Sequence, residues 1–152
     1  MLYGLAFAIG IVAGLRTMMA PAAIAWAARL HWLTLDGSWL AFLGYRWTAP
    51  ILTLLALGEI VSDKLPKTPS RKPPPQFGAR IVSGGLCGGA VGVQAGIWWL
   101  GLLLGIVGAV VGTLGGSAAR ANLARAFVKD LPAALVEDAV ALLLALTVVG
   151  RL

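Results

Sequence analysis

Charge is scarce in this chain: of its 152 residues only 12% are Asp, Glu, Lys or Arg, where a soluble domain carries about a quarter. Apolar residues make up 59%, more than a single soluble core of this size could hide. Cysteine occurs once, at Cys87, which excludes a disulfide or a Cys-based zinc site within one chain and leaves a small packing residue. Histidine also occurs once, at His31, so a His-rich metal site is excluded; neither a metal nor a cofactor is expected. Ser83, Thr113 and Ser117 have no base in a recognisable arrangement beside them, and the chain does not read as an enzyme. No basic stretch precedes the first apolar run, which is too long for a signal-peptide core and reads as a retained span.

What the chain has in quantity is long apolar runs, each near the ~20 residues that cross a bilayer. Five are read, over 2–30 (interrupted by Arg16 and Pro21), 49–65, 77–97, 98–127 and 133–152. The expectation is an all-α integral membrane protein with one transmembrane domain over 1–152. Between the first two runs lie Trp32, Trp39, Tyr45 and Trp47, aromatics that favour the headgroup layer. Trp98 and Trp99 mark the same interface.

The second and third runs are joined by residues 64–76, with five prolines; a polyproline-like loop is expected there. The net charge is +6, but the cations gather in the segments between runs, which is a topology signal and not a nucleic-acid face. With five spans, Lys64, Lys67, Arg71, Lys72, Arg80, Arg120, Arg125 and Lys129 fall on one side, against Arg29, Arg46 and Arg151 on the other. The positive-inside rule then puts the N-terminus and loop 64–76 in the cytoplasm of a bacterial-type inner membrane.

Two short matches suggest an internal repeat. Gly10 to Gly14 resembles Gly108 to Gly112, and Ala56-Leu57-Gly58-Glu59 resembles Ala134-Leu135-Val136-Glu137. The expectation is two inverted two-helix units, over 1–65 and 98–152, joined by a central span. Two readings stand for Arg16 to Pro21 and for 112–117: unwound segments within the spans, or a proline kink in the first and a glycine-lined packing face in the second. Recurrent small-xxx-small glycine spacing, as at Gly101/Gly105 and Gly108/Gly112/Gly116, lets helices approach closely in lipid. Five short spans make a thin bundle, so a homo-oligomer, a dimer in the first instance, is expected.

Ionisable residues inside apolar runs are costly and are functional by default in membranes. Arg16 sits in the first run, Glu59 and Asp63 one helical turn apart in the second, Glu137 and Asp138 in the fifth, and Arg80 and Arg120 near the ends of the third and fourth. One reading is a substrate or ion path through Arg16, Glu59, Asp63, Arg120, Glu137 and Asp138, with Arg16 as anion or counter-ion site. The other is structural: Arg16 pairs with Glu59 or Glu137 and pins helices together, while the remaining charges reach to headgroups.

Gly14-Leu15-Arg16-Thr17, Pro21-Ala22, Glu59 with Asp63-Lys64-Leu65-Pro66, Thr68-Pro69, Arg71, then Arg80 with Gly84, and finally Glu137-Asp138 resemble the bacterial membrane proteins grouped as domain of unknown function 4126. The resemblance covers nearly the whole chain. It implies a compact multi-span inner-membrane protein and no particular activity, substrate or catalytic residue.

The functional expectation is a small inner-membrane transporter or channel for a small ion or anionic solute. The alternative is a non-catalytic scaffold or accessory subunit. Its basic loop, with Lys64, Lys67, Arg71, Lys72 and Arg80, would bind anionic lipid or a partner protein.

Overall fold

The computed structural model describes residues 1–65, 74–127 and 130–152. Among them the chain is all-helical, with α1 (Leu2–Leu15), α2 (Met19–Arg29), α3 (Thr48–Ser62), α4 (Pro74–Gln94), α5 (Trp98–Phe127) and α6 (Asp130–Val149), plus one 3-10 turn at Ala41–Gly44. Two helices, α5 and the Leu131–Val149 part of α6, are long and apolar enough to cross a membrane.

The first apolar run is therefore two helices, and Pro21 supplies the reason. In a continuous helix its ring would clash with the carbonyl four residues back, that of Thr17. The chain instead leaves the helix at Arg16, which is extended at φ −137° and ψ 112°, and starts again at Met19. Pro21 then falls in the first turn of α2, where no N–H is needed.

Contacts at the two ends of the bundle set the helix directions. At one end the Tyr3 hydroxyl donates to the Ala95 carbonyl (3.4 Å) and Gln94 Nε2 to the Leu152 carbonyl (3.0 Å). There too the Trp39 and Trp98 rings meet edge to face, with centroids 6.1 Å apart. At the other end Arg16 reaches Asp63. So α1, α3 and α5 run from the aromatic end to the basic end, and α2, α4 and α6 run back. Helices α1 and α2 form a hairpin that enters and leaves at the aromatic end.

This corrects two expectations. The chain starts at the opposite end from Lys64, so the N-terminus and Lys64 do not share an end of the bundle; the hairpin adds one reversal that an uninterrupted span would not have. The inverted two-helix repeat also fails. The matched glycine segments of α1 and α5 run in the same direction and pack on each other, and α1 reverses where α5 continues.

Glycine sets that packing. A Cβ on Gly10 would strike the backbone of Gly105, one on Gly88 the backbone of Gly101 and Gly105, and one on Gly112 the backbone of Ile11. Backbone-to-backbone contact thus welds α1, α4 and α5 into one core. Within 112–117 the unwound reading fails and the packing face holds: α5 is a single 30-residue helix. Gly101, Gly105, Gly108, Gly112 and Gly116 recur every three or four residues and line up on one buried face. The outer surface is apolar instead. Leu54, Val61, Leu143 and Leu146 are each at least 60% exposed, while Arg16 is 1% exposed.

Candidate functional site

The break between α1 and α2 strips partners from backbone groups at both helix ends. Other helices replace them. Arg80 on α4 donates through Nη1 to the Gly14 carbonyl and, at 3.0 Å, to that of Leu15. Thr113 Oγ1 on α5 lies 3.2 Å from the same Gly14 carbonyl, with its one proton shared between that group and the Ala109 carbonyl at 2.8 Å. Ser83 Oγ donates to the Thr17 carbonyl at 2.6 Å, the group that Pro21 cannot tolerate in a continuous helix. On the other side of the break, the N–H groups of Thr17 and Met18 each donate to one carboxylate oxygen of Glu59 on α3, both at 2.8 Å.

The electrostatics agree with the hydrogen bonds. A helix C-terminus carries roughly half a negative charge and an N-terminus roughly half a positive one. The Arg80 guanidinium sits at the end of α1 and the Glu59 carboxylate at the start of α2. A mid-bundle break of this kind is stable away from water only when protein groups satisfy it.

Arg16 points out of the break into a second layer of charge. Its Nη1 lies 3.0 Å from Asp63 Oδ2, and its Nη2 pairs with Asp138 Oδ1 on α6. Asp138 is also 3.0 Å from Lys64 Nζ. Arg120 Nη1 on α5 is 2.6 Å from Asp63 and 3.8 Å from Glu137. With the helix-capping pair the site holds Arg16, Lys64, Arg80 and Arg120 against Glu59, Asp63, Glu137 and Asp138, four charges of each sign. Four of the six acidic residues of the whole sequence converge here. The site lies toward the basic end, about 20 Å along α1 from Tyr3 at 1.5 Å per residue.

Five residues of the expected path, Arg16, Asp63, Arg120, Glu137 and Asp138, are joined by ion pairs, and the sixth, Glu59, caps the backbone of Thr17 and Met18 next to Arg16. Two of the residues assigned to the basic loop join them. Lys64 pairs with Asp138, and Arg80, 4% exposed, caps α1 and does not reach to a headgroup. Lys67, Arg71 and Lys72 lie outside the described residues. The partners expected for Arg16, Glu59 or Glu137, are corrected to Asp63 and Asp138. Glu59 stands one turn earlier on α3, level with the first N–H groups of α2, and is taken up there. Sequence reading missed Ser83, Thr113 and the backbone N–H pair. Pro21 held the available signal, since the rule that forbids its ring over Thr17 also leaves a carbonyl in need of a donor.

Among the described residues no cluster of His, Cys, Asp and Glu could hold a metal ion. Arg16 Nε is buried without a hydrogen-bond partner among them, so the network is ion-paired yet not fully saturated.

A family model described as "Domain of unknown function (DUF4126)" matches residues 3–150. No curated protein and no solved structure matches the chain.

Proposed function

The chain belongs to that family, and on this footing we propose that it is a small multi-span inner-membrane transporter or channel whose ion-handling centre is the charge network at the α1–α2 break. The carrying observation is the hairpin itself. Its break places backbone dipole ends inside the bundle, capped by Arg80 and Glu59, and Arg16 turns from it onto the carboxylates of Asp63 and Asp138. Discontinuous helices with dipole ends and buried charges at one level are how membrane proteins build ion and solute sites. The inside-out surface supports the membrane placement, because apolar side chains on α3, α5 and α6 face outward.

In this reading Arg16 is a counter-ion to Asp63 and Asp138. Glu59, Asp63, Glu137 and Asp138 are the groups that a passing cation or proton would meet. The basic end, with Lys64, Arg80, Arg120 and Arg125, faces the cytoplasm, and the aromatic end with both chain termini faces outward. The thin bundle and its bare α3 face fit a homo-oligomer, with a dimer as the simplest case.

A second reading is favoured by the charge balance. Four cations and four anions neutralise one another, as they would in a purely structural tie within a scaffold or accessory subunit, with the basic loop binding anionic lipid or a partner.

Flux in proteoliposomes under an imposed pH gradient, across a panel of ions, decides between the two. Wild-type flux that falls in Asp138→Asn and Glu59→Gln supports transport. A folded protein that moves no ion overturns it and leaves the scaffold reading.

A further inference from the structure

At the aromatic end, away from the charge network, the segment between α2 and α3 folds over a cavity of about 190 Å³. Arg29, His31, Asp36 and Tyr45 line it together with Thr34 and with alanine, leucine and glycine residues. We propose that this cavity is a binding site for a phosphate–ammonium headgroup, that of a primary-amine zwitterionic phospholipid.

His31 gives the first argument. It is the only non-glycine residue with positive φ among the described residues, at 60°. The Trp32 N–H donates to the Ala27 carbonyl at 2.9 Å and the His31 N–H to the Ala28 carbonyl at 3.2 Å. This is the pairing that ends a helix with one left-handed residue, and glycine normally takes that place because it has no Cβ to strain. A strained side chain persists where it is used, and functional sites collect such residues. Here His31 lines the cavity.

Charge gives the second. Arg29 spends one Nη1 bond on the Arg46 carbonyl (2.8 Å) and lies over the Trp26 ring at 5.3 Å, which orients the planar fork. A guanidinium carries five N–H donors in all, so donors remain for phosphate oxygens, the geometry that arginine suits. Asp36 is the one acidic residue between α2 and α3, and it lines the same cavity. A cation and an anion sharing one small cavity complement a phosphate and an ammonium carried on one ligand. The surroundings give the third argument: Tyr45 of the lining is exposed, as are Trp32 and Trp47 of the same segment, the composition of a headgroup layer.

The inference rests on the membrane placement proposed above but not on transport, so a protein that conducts nothing can still bind. The test uses the full chain, delipidated in detergent, with thermal stability titrated against dihexanoyl phosphatidylethanolamine, dihexanoyl phosphatidylglycerol and free phosphoethanolamine. Saturable stabilisation by the ethanolamine lipid, exceeding that by the glycerol lipid, is expected. An equal shift from phosphoethanolamine assigns the site to a soluble headgroup compound, and a shift from the lipid alone assigns it to the bilayer. Arg29→Gln should weaken binding about tenfold, as loss of a charge-assisted bond does. Asp36→Asn should erase the preference for ethanolamine over glycerol. His31→Gly should raise the stability of the lipid-free protein and yet weaken binding, a divergence that a plain helix cap would not give. Equal response to both lipids in wild type, wild-type affinity in Arg29→Gln, or no shift with any of the three overturns the proposal.

Discussion

Replacing Glu59 by glutamine tests how far the α1–α2 break depends on one carboxylate. Glu59 accepts the Thr17 and Met18 N–H groups at 2.8 Å each. Glutamine keeps one acceptor oxygen and turns an amide N–H₂ toward the other donor, so one backbone N–H is left facing a donor. Losing a hydrogen bond to a charged group and stranding its partner costs about 1–3 kcal/mol. Losing the negative charge at the start of α2 costs about 0.3–1 kcal/mol more. The sum, roughly 1–4 kcal/mol, is a large share of the ~5–15 kcal/mol that holds a typical domain folded. Unfolding in mixed dodecylmaltoside–SDS micelles, followed by the fluorescence of the six tryptophans, reads the change directly. Glu59→Asp is the companion: it keeps the charge but is one methylene short, and should lose less than Glu59→Gln if the charge dominates. A Glu59→Gln protein within about 0.5 kcal/mol of wild type, the scatter of ordinary surface changes, would refute the idea that this carboxylate holds the break.

Three further outcomes follow from the packing and the network. Gly105→Ala should destabilise by about 1–3 kcal/mol through overpacking, since its Cβ would meet the Gly84 and Gly88 backbone, whereas Gly115→Ala, with nothing within 4 Å, should be neutral or stabilising in the same micelle titration. A double-mutant cycle on Lys64→Gln and Asp138→Asn should return a coupling of roughly 0.5–3 kcal/mol; additive losses would mean that their 3.0 Å ion pair contributes nothing. In a Cys87→Ser background, Ser38→Cys and Arg125→Cys should label from opposite faces of sealed vesicles, and Gly4→Cys should label with Ser38→Cys; joint labelling of Gly4→Cys and Arg125→Cys would overturn the hairpin.

Much of the site was legible because charge is conspicuous inside long apolar runs. Arg16, Glu59, Asp63, Glu137 and Asp138 each stand out against an apolar run; four of them pair in the network, and Glu59 caps the start of α2 beside it. Their pairing was not legible. Glu59 and Asp63 are one turn apart on α3, and nothing along the chain says which faces α2's first N–H groups and which faces Arg16. Arg80 was misread for a similar reason: near the end of a run a cation reaches headgroups or caps a neighbouring helix, and only the position of α1 selects between them. Glycine misled in the opposite direction. Gly115-Gly116 looks like a helix breaker by propensity, but tertiary contact overrides propensity, because Gly116 faces α1 while Gly115 faces outward.

The sequence by itself determined the helical class, the family and which ionisable residues interrupt the apolar runs. These are properties of composition and spacing, readable without knowing where any helix goes. The tertiary structure decided the direction of the chain. Pro21 dictates that a helix must stop near Thr17, but a stop can lead to a kink or a reversal. The reversal holds because Arg80 and Ser83, 65 and 66 residues away in sequence from the Leu15 and Thr17 carbonyls that they meet, satisfy one side, and Glu59 satisfies the N–H groups on the other. Buried backbone groups must find partners, and which partners arrive depends on helices that the local sequence does not contain.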